Sequence, residues 1–162
     1  NHKQGKKMKD KFPYPGEPAV ITNEMCDLNG HLNVVYYYHI FAQDFGGFYE
    51  DMGFTSEYFE KGFSSFTLET NLNYLKEIKE GEKCCPHYRM INVSPKLIHY
   101  GGILLTEEGE VSATYETVEV HIDMSTRKSS EMPDSFLSNL NTMKDEHSQA
   151  GGPGFELRLK IK

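Results

Sequence analysis

The sequence predicts an α+β domain, a curved antiparallel sheet wrapped around one long central helix. Two observations carry this. Between Val34 and Met52 the apolar residues Val34, Tyr37, Tyr38, Phe41, Phe45, Phe48 and Met52 recur at three- and four-residue steps, the period of one helix face. From Phe66 the period changes to two and holds through several segments separated by turn formers. A lone apolar helix followed by successive strands buries its stripe by lying against a sheet curved around it.

Each element follows in order. Residues 1–17 read as a flexible tail, basic at Lys3, Lys6, Lys7, Lys9 and Lys11 and punctuated by Pro13, Pro15 and Gly16. Ala19 to Thr22 is a short strand, and Asn23 to Gly30 is a loop rich in turn formers. Asn33 is placed to cap a helix of about five turns, with Gly53 at its C-terminal stop. Gly46 and Gly47 fall inside that helix, which suggests close packing against another backbone. In the next strand Phe66, Leu68, Thr70, Leu72 and Tyr74 share one face, and Thr67, Glu69, Asn71 and Asn73 the other. Residues 83–93, 96–106 and 110–123 read as three more strands, the last two joined by a hairpin turn at 107–110. In the last strand Val111, Ala113 and Tyr115 keep one phase while Val118, Val120 and Ile122 keep the other. A bulge or strong bend near Thr117 is therefore expected. Pro133-Asp134 opens a short helix, and Gly151, Gly152 and Gly154 form a joint. Leu157, Leu159 and Ile161, alternating with charge, add an edge strand or hang free. The expected division is an N-terminal tail at 1–17, a domain at 18–147 and a C-terminal tail at 148–162.

With 162 residues the chain can build one core. Its net charge of −7 repels a phosphate backbone, so nucleic acid is not an expected partner. No segment approaches the roughly 18 apolar residues of a membrane span, and no apolar segment follows the basic start as a leader would require. Cys26, Cys84 and Cys85 are an odd, sparse set, which points to a reducing compartment and a cytoplasmic location. No Cys-x-x-Cys or His-x-x-x-His pair occurs, so no metal site is expected.

The segment with chemical content is Asp27-Leu28-Asn29-Gly30-His31-Leu32-Asn33, just before the long helix. A helix start offers unpaired N–H groups and the positive end of the macrodipole, which suit an oxyanion developing on a carbonyl. A carboxylate six to seven residues upstream can face the same carbonyl, to attack it or to activate water. Asp-x-Asn-Gly is also ordinary turn chemistry, His31 equally a loop hydrogen-bonder and Glu69 equally a solvated strand residue.

This segment, followed by Tyr36 and Tyr37, resembles the signature of 4-hydroxybenzoyl-CoA-type hotdog thioesterases, and is similar to the Asp-x-Asn-x-His-Val-Asn-Asn motif of plant acyl-carrier-protein thioesterases. Leu68-Glu69, Leu72, Tyr74-Leu75 and Gly81 resemble the family's second strand and turn. Ala113-Thr114-x-Glu116 through His121-Ile122-Asp123 resemble its last long strand. Within the family, the run from Gly30 to Tyr37, Lys96-Leu97-Ile98-His99 and Arg127-Lys128-Ser129 look most like the branch linked to carnitine and betaine breakdown. The resemblance implies an acyl-CoA substrate, with coenzyme A as part of it and no separate cofactor. It implies Asp27 as nucleophile or base, with the Val34 backbone N–H on the thioester carbonyl and Asn33 and His31 beside them. It also implies a homodimer or homotetramer. Met25 and Val34 depart from the family, where an acid and a second Asn are common. Tyr36, Tyr37 and Phe66, with Glu69 as charge partner, are candidates for an acyl pocket that admits a betainyl group. Lys96, Arg127 and Lys128 are candidates for the CoA nucleotide by charge. Two alternatives share the fold. A hotdog enoyl-CoA hydratase is disfavoured by the four-residue spacing from Asp27 to His31 and by Gly30 in place of proline. A non-catalytic acyl-CoA binder would not need the carboxylate.

Overall fold

A computed structural model describes residues 7–43, 45 and 47–162. Two short strands, Tyr14–Pro15 (β1) and Ala19–Val20 (β2), precede a 3-10 turn at Asn23–Met25. The helices Val34–Gln43 (α1), Phe48–Met52 (α2) and Ser56–Glu60 (α3) follow. Four long strands come next: Phe63–Tyr74 (β3), Lys83–Val93 (β4), Leu97–Thr106 (β5) and Val111–Asp123 (β6). Lys128–Ser129 (β7) and the helix Asp134–Ser148 (α4) follow. The sheet order is β1-β4-β5-β6-β3, with β2 also on β4 and β7 on β6, and every pairing is antiparallel. This is the expected α+β hotdog arrangement, with the helical stripe against one face of the sheet. The core joins Tyr37, Ile40, Phe41, Phe48 and Met52 to Tyr88, Tyr100, Ala113 and Tyr115 of the strands.

The central helix is not continuous. α1 ends at Gln43, and Gly47 stands before α2 at φ +91, a left-handed conformation that favours glycine. A Cβ on Gly47 would touch only the Tyr14 hydroxyl, at 3.5 Å, so Gly47 serves the turn and not a close approach. Gly46 lies outside the described residues. The apolar spacing runs across the break because Phe41, Phe45 and Phe48 all pack on the Tyr88 ring, with centroids at 6.4, 5.2 and 5.5 Å. Gly53 ends α2 as expected, also left-handed. The last helix is longer than expected: α4 runs 15 residues, packs on β4 and α2, and its Asn139 Nδ2 donates to the carbonyls of Asp51 and Met52.

Three further expectations are corrected. Pairing through Thr117 is regular on both sides. The bulges lie instead at Leu68 of β3, Ile91 of β4 and Ser112 of β6, each the residue without a partner in its ladder. The change of apolar phase in β6 arises because both faces of that strand are buried. The N-terminal tail is shorter than expected. Phe12 is buried with Ile103 and Leu105, and Tyr14 pairs with Tyr88. The C-terminal segment neither joins an edge nor hangs free. It crosses the outer face of the sheet, with Phe155 stacked on Phe12 at 5.8 Å. The backbone amides of Arg158 and Leu159 donate to the buried Glu116 carboxylate, at 2.9 and 3.2 Å. His99 Nε2 lies 3.0 Å from the same carboxylate, which is thereby filled from three sides. On the other flank, the outer edge of β3 has no partner among the described residues. Exposed apolar side chains gather along it and at the start of α1: Val34, Val35, Tyr38, Phe66, Leu68, Tyr74 and Leu75.

Candidate active site

The loop from Asp27 to Asn33 is shaped by short-range hydrogen bonds and pinned to the segment before β4. Asp27 N–H donates to the His31 carbonyl and Gly30 N–H to the Asp27 carbonyl, and Gly30 takes φ +79 to close the turn. Bridges Cys26–Leu32 and His31–Lys79 anchor its two sides, and Leu32 N–H donates to the Ile78 carbonyl at 2.7 Å. Leu32 is buried, so the loop is tethered by one apolar residue while its polar residues stay accessible.

The turn chemistry of the motif is present, and one Asp27 carboxylate oxygen stays outside it. Asp27 Oδ1 accepts from Asn29 N–H at 2.9 Å, an Asx turn, while Oδ2 lies 3.6 Å from His31 Nδ1. His31 Nε2 in turn stands 4.0 Å from Glu77 Oε2, so the imidazole sits between two carboxylates. Asn33 caps α1, its Oδ1 accepting from Val35 N–H at 3.1 Å. The N–H of Val34, first residue of α1, has no intrahelical acceptor. A cleft of about 260 Å³ opens at this point, lined by His31, Leu32, Val34, Tyr37, Tyr74, Leu75, Lys76 and Glu77. The arrangement supplies a carboxylate able to accept a proton or attack carbon, an N–H able to hold an oxyanion, and an apolar cleft beside them.

Tyr37 is buried in the cleft wall, its hydroxyl donating to the Lys76 carbonyl at 3.2 Å and its ring edge-to-face with Tyr74 at 5.0 Å. Burial raises its hydroxyl pKa. Tyr36 packs beside the core against His39 and is not in the cleft wall. Phe66 and Glu69 pair with Val120 and Val118, and so lie on the face of the sheet opposite Tyr115 and the helices. The structure does not bring either of them to the cleft. Arg127 caps the Phe66 ring from 5.6 Å, with Lys128 paired to Asp123, and the Lys96 carbonyl accepts from His121 N–H. These three cations gather near the end of β6 that is remote from the cleft, whose Tyr37 meets Ser112. Nine residues of strand separate Ser112 from His121, about 30 Å.

Two residues escaped the motif. Glu77 is placed in the cleft by the turn after β3, and no periodicity marks it. Glu119 is buried on the inner face of β6, on the phase of Tyr115, which the strand alternation alone could have revealed. Its Oε1 accepts from Thr67 at 3.2 Å, while Oε2 has no hydrogen-bond partner among the described residues. Burial raises its pKa, against the opposing hydroxyls of Tyr100, Thr67 and Ser65.

Comparison with known proteins identifies the family. Residues 20–140 match the family model described as the thioesterase-like superfamily. The L-carnitine dehydrogenase/betainyl-CoA thioesterase of Agrobacterium fabrum is 25% identical over 147 residues, 91% of this chain and 30% of that protein. The chain thus spans under a third of the length of that bifunctional relative. The betainyl-CoA thioesterase of Pseudomonas aeruginosa is 26% identical over 129 residues, 78% of this chain and 81% of the relative. Among solved structures, a Staphylococcus aureus protein in complex with CoA superposes with TM-score 0.74 at 25% identity, covering 80% of this chain and 83% of the other. A DHNA-CoA thioesterase from Staphylococcus aureus shares the fold, with TM-score 0.70 at 20% identity, covering 88% and 95%.

Proposed function

Since this chain belongs to the thioesterase-like superfamily, we propose that it hydrolyses a small acyl-CoA to the free acid and coenzyme A, with Asp27 as the essential carboxylate. The observation that carries this is the single loop that puts the Asp27 carboxylate 3.6 Å from His31, a residue of the cleft lining, and ends at Val34, the first residue of α1 and part of the same lining. In the general-base route Asp27 takes a proton from water as the water oxygen bonds to the thioester carbon. The Val34 N–H holds the carbonyl oxygen as it becomes an oxyanion. The C–S bond then breaks, and the thiolate takes up the proton. In the nucleophilic route Asp27 bonds to the carbonyl carbon first, the thiolate leaves, and water cleaves the resulting anhydride. Single turnover in ¹⁸O-water separates the two, because only the anhydride route can leave label in Asp27. His31, between Asp27 and Glu77, orients Asp27.

The acyl group proposed is betainyl, on the strength of the relatives' substrate and the motif shared with them. The molecule is proposed to act as a dimer through the free edge of β3. Antiparallel pairing of two β3 edges brings the Arg127 end of one subunit toward the Asp27 end of the other. This supports Lys96, Arg127 and Lys128 as phosphate contacts supplied across the dimer. A panel of acyl-CoAs with a thiol-detecting reagent tests the activity. No thiol release from any of them would return the chain to the non-catalytic binder.

A further inference from the structure

The cleft at the start of α1 is not electrically neutral. Lys76 lines it, but its ammonium is paired with Glu110. Lys79 stands 4.0 Å from Glu77 Oε1 with both side chains more than half exposed, so that pair is screened by water. What remains in the lining is the Glu77 carboxylate, with the His31 imidazole between it and Asp27. Opposite Glu77 lie the Tyr37 and Tyr74 rings, packed edge-to-face, with Tyr74 48% exposed. Leu32, Val34 and Leu75 complete an apolar lining.

We propose that Glu77 and the Tyr37–Tyr74 pair form the acyl headgroup site, and that the headgroup they select is a quaternary ammonium. This deepens the thioester hydrolase reading and rests on it. The chemistry is specific because such a cation has no N–H and cannot be recognised by hydrogen bonds. Aromatic rings, carboxylates and apolar contacts to its methyl groups are what attract it. All three surround one small cleft. Val34, the first residue of α1, lines the same cleft, so a thioester carbonyl held at that helix start has the charge close to it, as in a betainyl group and not in a long acyl chain. A neutral branched acyl group of the same shape would remove water from Glu77 and offer it no charge in return. Glu69, the carboxylate that the sequence suggests for this role, is on the other face of the sheet.

The test compares kcat/KM for betainyl-CoA with that for isovaleryl-CoA, its neutral isostere, in the full chain and in three variants. The parent favours betainyl-CoA. Glu77→Gln lowers the betainyl-to-isovaleryl ratio by about two- to fivefold, the scale of one exposed ion contact. Taking the ratio cancels any effect that Glu77 exerts on both substrates through His31. Tyr74→Leu lowers the ratio in the same sense, and Tyr74→Phe, which keeps the ring, restores it. A ratio unchanged in Glu77→Gln, or a parent that favours isovaleryl-CoA, overturns the headgroup site and leaves the hydrolase standing. Failure of the parent to hydrolyse betainyl-CoA removes the headgroup site, and the hydrolase reading falls with it only if no member of the acyl-CoA panel releases thiol.

Discussion

Two carboxylates show how environment divides residues of one chemical kind. Asp27 sits in a polar, accessible turn, suited to meeting a substrate. Asp27→Asn keeps the Asx turn to Asn29 and removes the charge. Turnover is expected to fall by on the order of a hundredfold or more with an unchanged melting temperature, read by steady-state kinetics and thermal melts. Asn33→Ala acts instead through the lost cap on α1, at roughly 1 kcal/mol of stability in denaturant unfolding. Glu119 is buried on the inner face with its pKa raised by that burial. A raised carboxylate pKa means that the fold disfavours the charge. The cost is present at neutral pH and fades as pH falls through the folded pKa toward the ordinary 4.5. Glu119→Gln is therefore expected to raise the melting temperature at pH 7, with a gain that shrinks on acidification. An equal gain at every pH would remove the electrostatic explanation.

At the scale of elements, the site depends on how closely α1 can approach the sheet. Gly102 of β5 lies under that helix. A Cβ there would come within 3.0 Å of the His87 carbonyl and the Tyr88 ring and 3.3 Å of Phe41. Gly102→Ala should therefore push Phe41 outward and cost about 1–3 kcal/mol, measured by urea unfolding. The break between α1 and α2 serves the same contact. Phe41 of α1, Phe45 of the break and Phe48 of α2 all reach the single Tyr88 ring across the turn. The sequence pattern is blind to this, since the residues keep helical spacing on both sides of the turn.

For the whole molecule, one face and one edge of the sheet have different fates. The outer face is closed by the chain's own C-terminal segment, latched on Glu116. Burial alone would raise that carboxyl's pKa, but His99 and the amides of Arg158 and Leu159 outweigh it and hold the pKa below its ordinary value. A lowered pKa contributes stability above 4.5 that is lost as pH falls through the folded value. Hydrogen exchange at Arg158 and Leu159 should thus be slow at pH 7 and lose its protection only under acid stronger than that. Glu116→Gln, which turns an N–H₂ toward a donor, should lose protection already at neutral pH. The edge of β3 stays open and apolar, so light scattering at micromolar concentration is expected to give at least twice the 18.6 kDa chain mass. A mass of one chain would leave the cations at Arg127 without a route to the cleft.

What the sequence by itself determined was the local and the periodic: strands at 83–93, 96–106 and 110–123, the stop at Gly53, the cap at Asn33 and the loop that carries Asp27. These follow from side-chain alternation, turn chemistry and capping, all encoded within a few neighbouring residues. Only the tertiary structure decided that Glu77 enters the cleft while Glu69 turns away, that both faces of β6 are buried, and that the C-terminal segment has a receptor in Glu116. Each of these joins residues distant in sequence, or depends on a single bulge such as Leu68, where one extra residue sends the following side chain to the opposite face. Periodicity identifies which side chains alternate, and packing alone decides which of the two sides is covered.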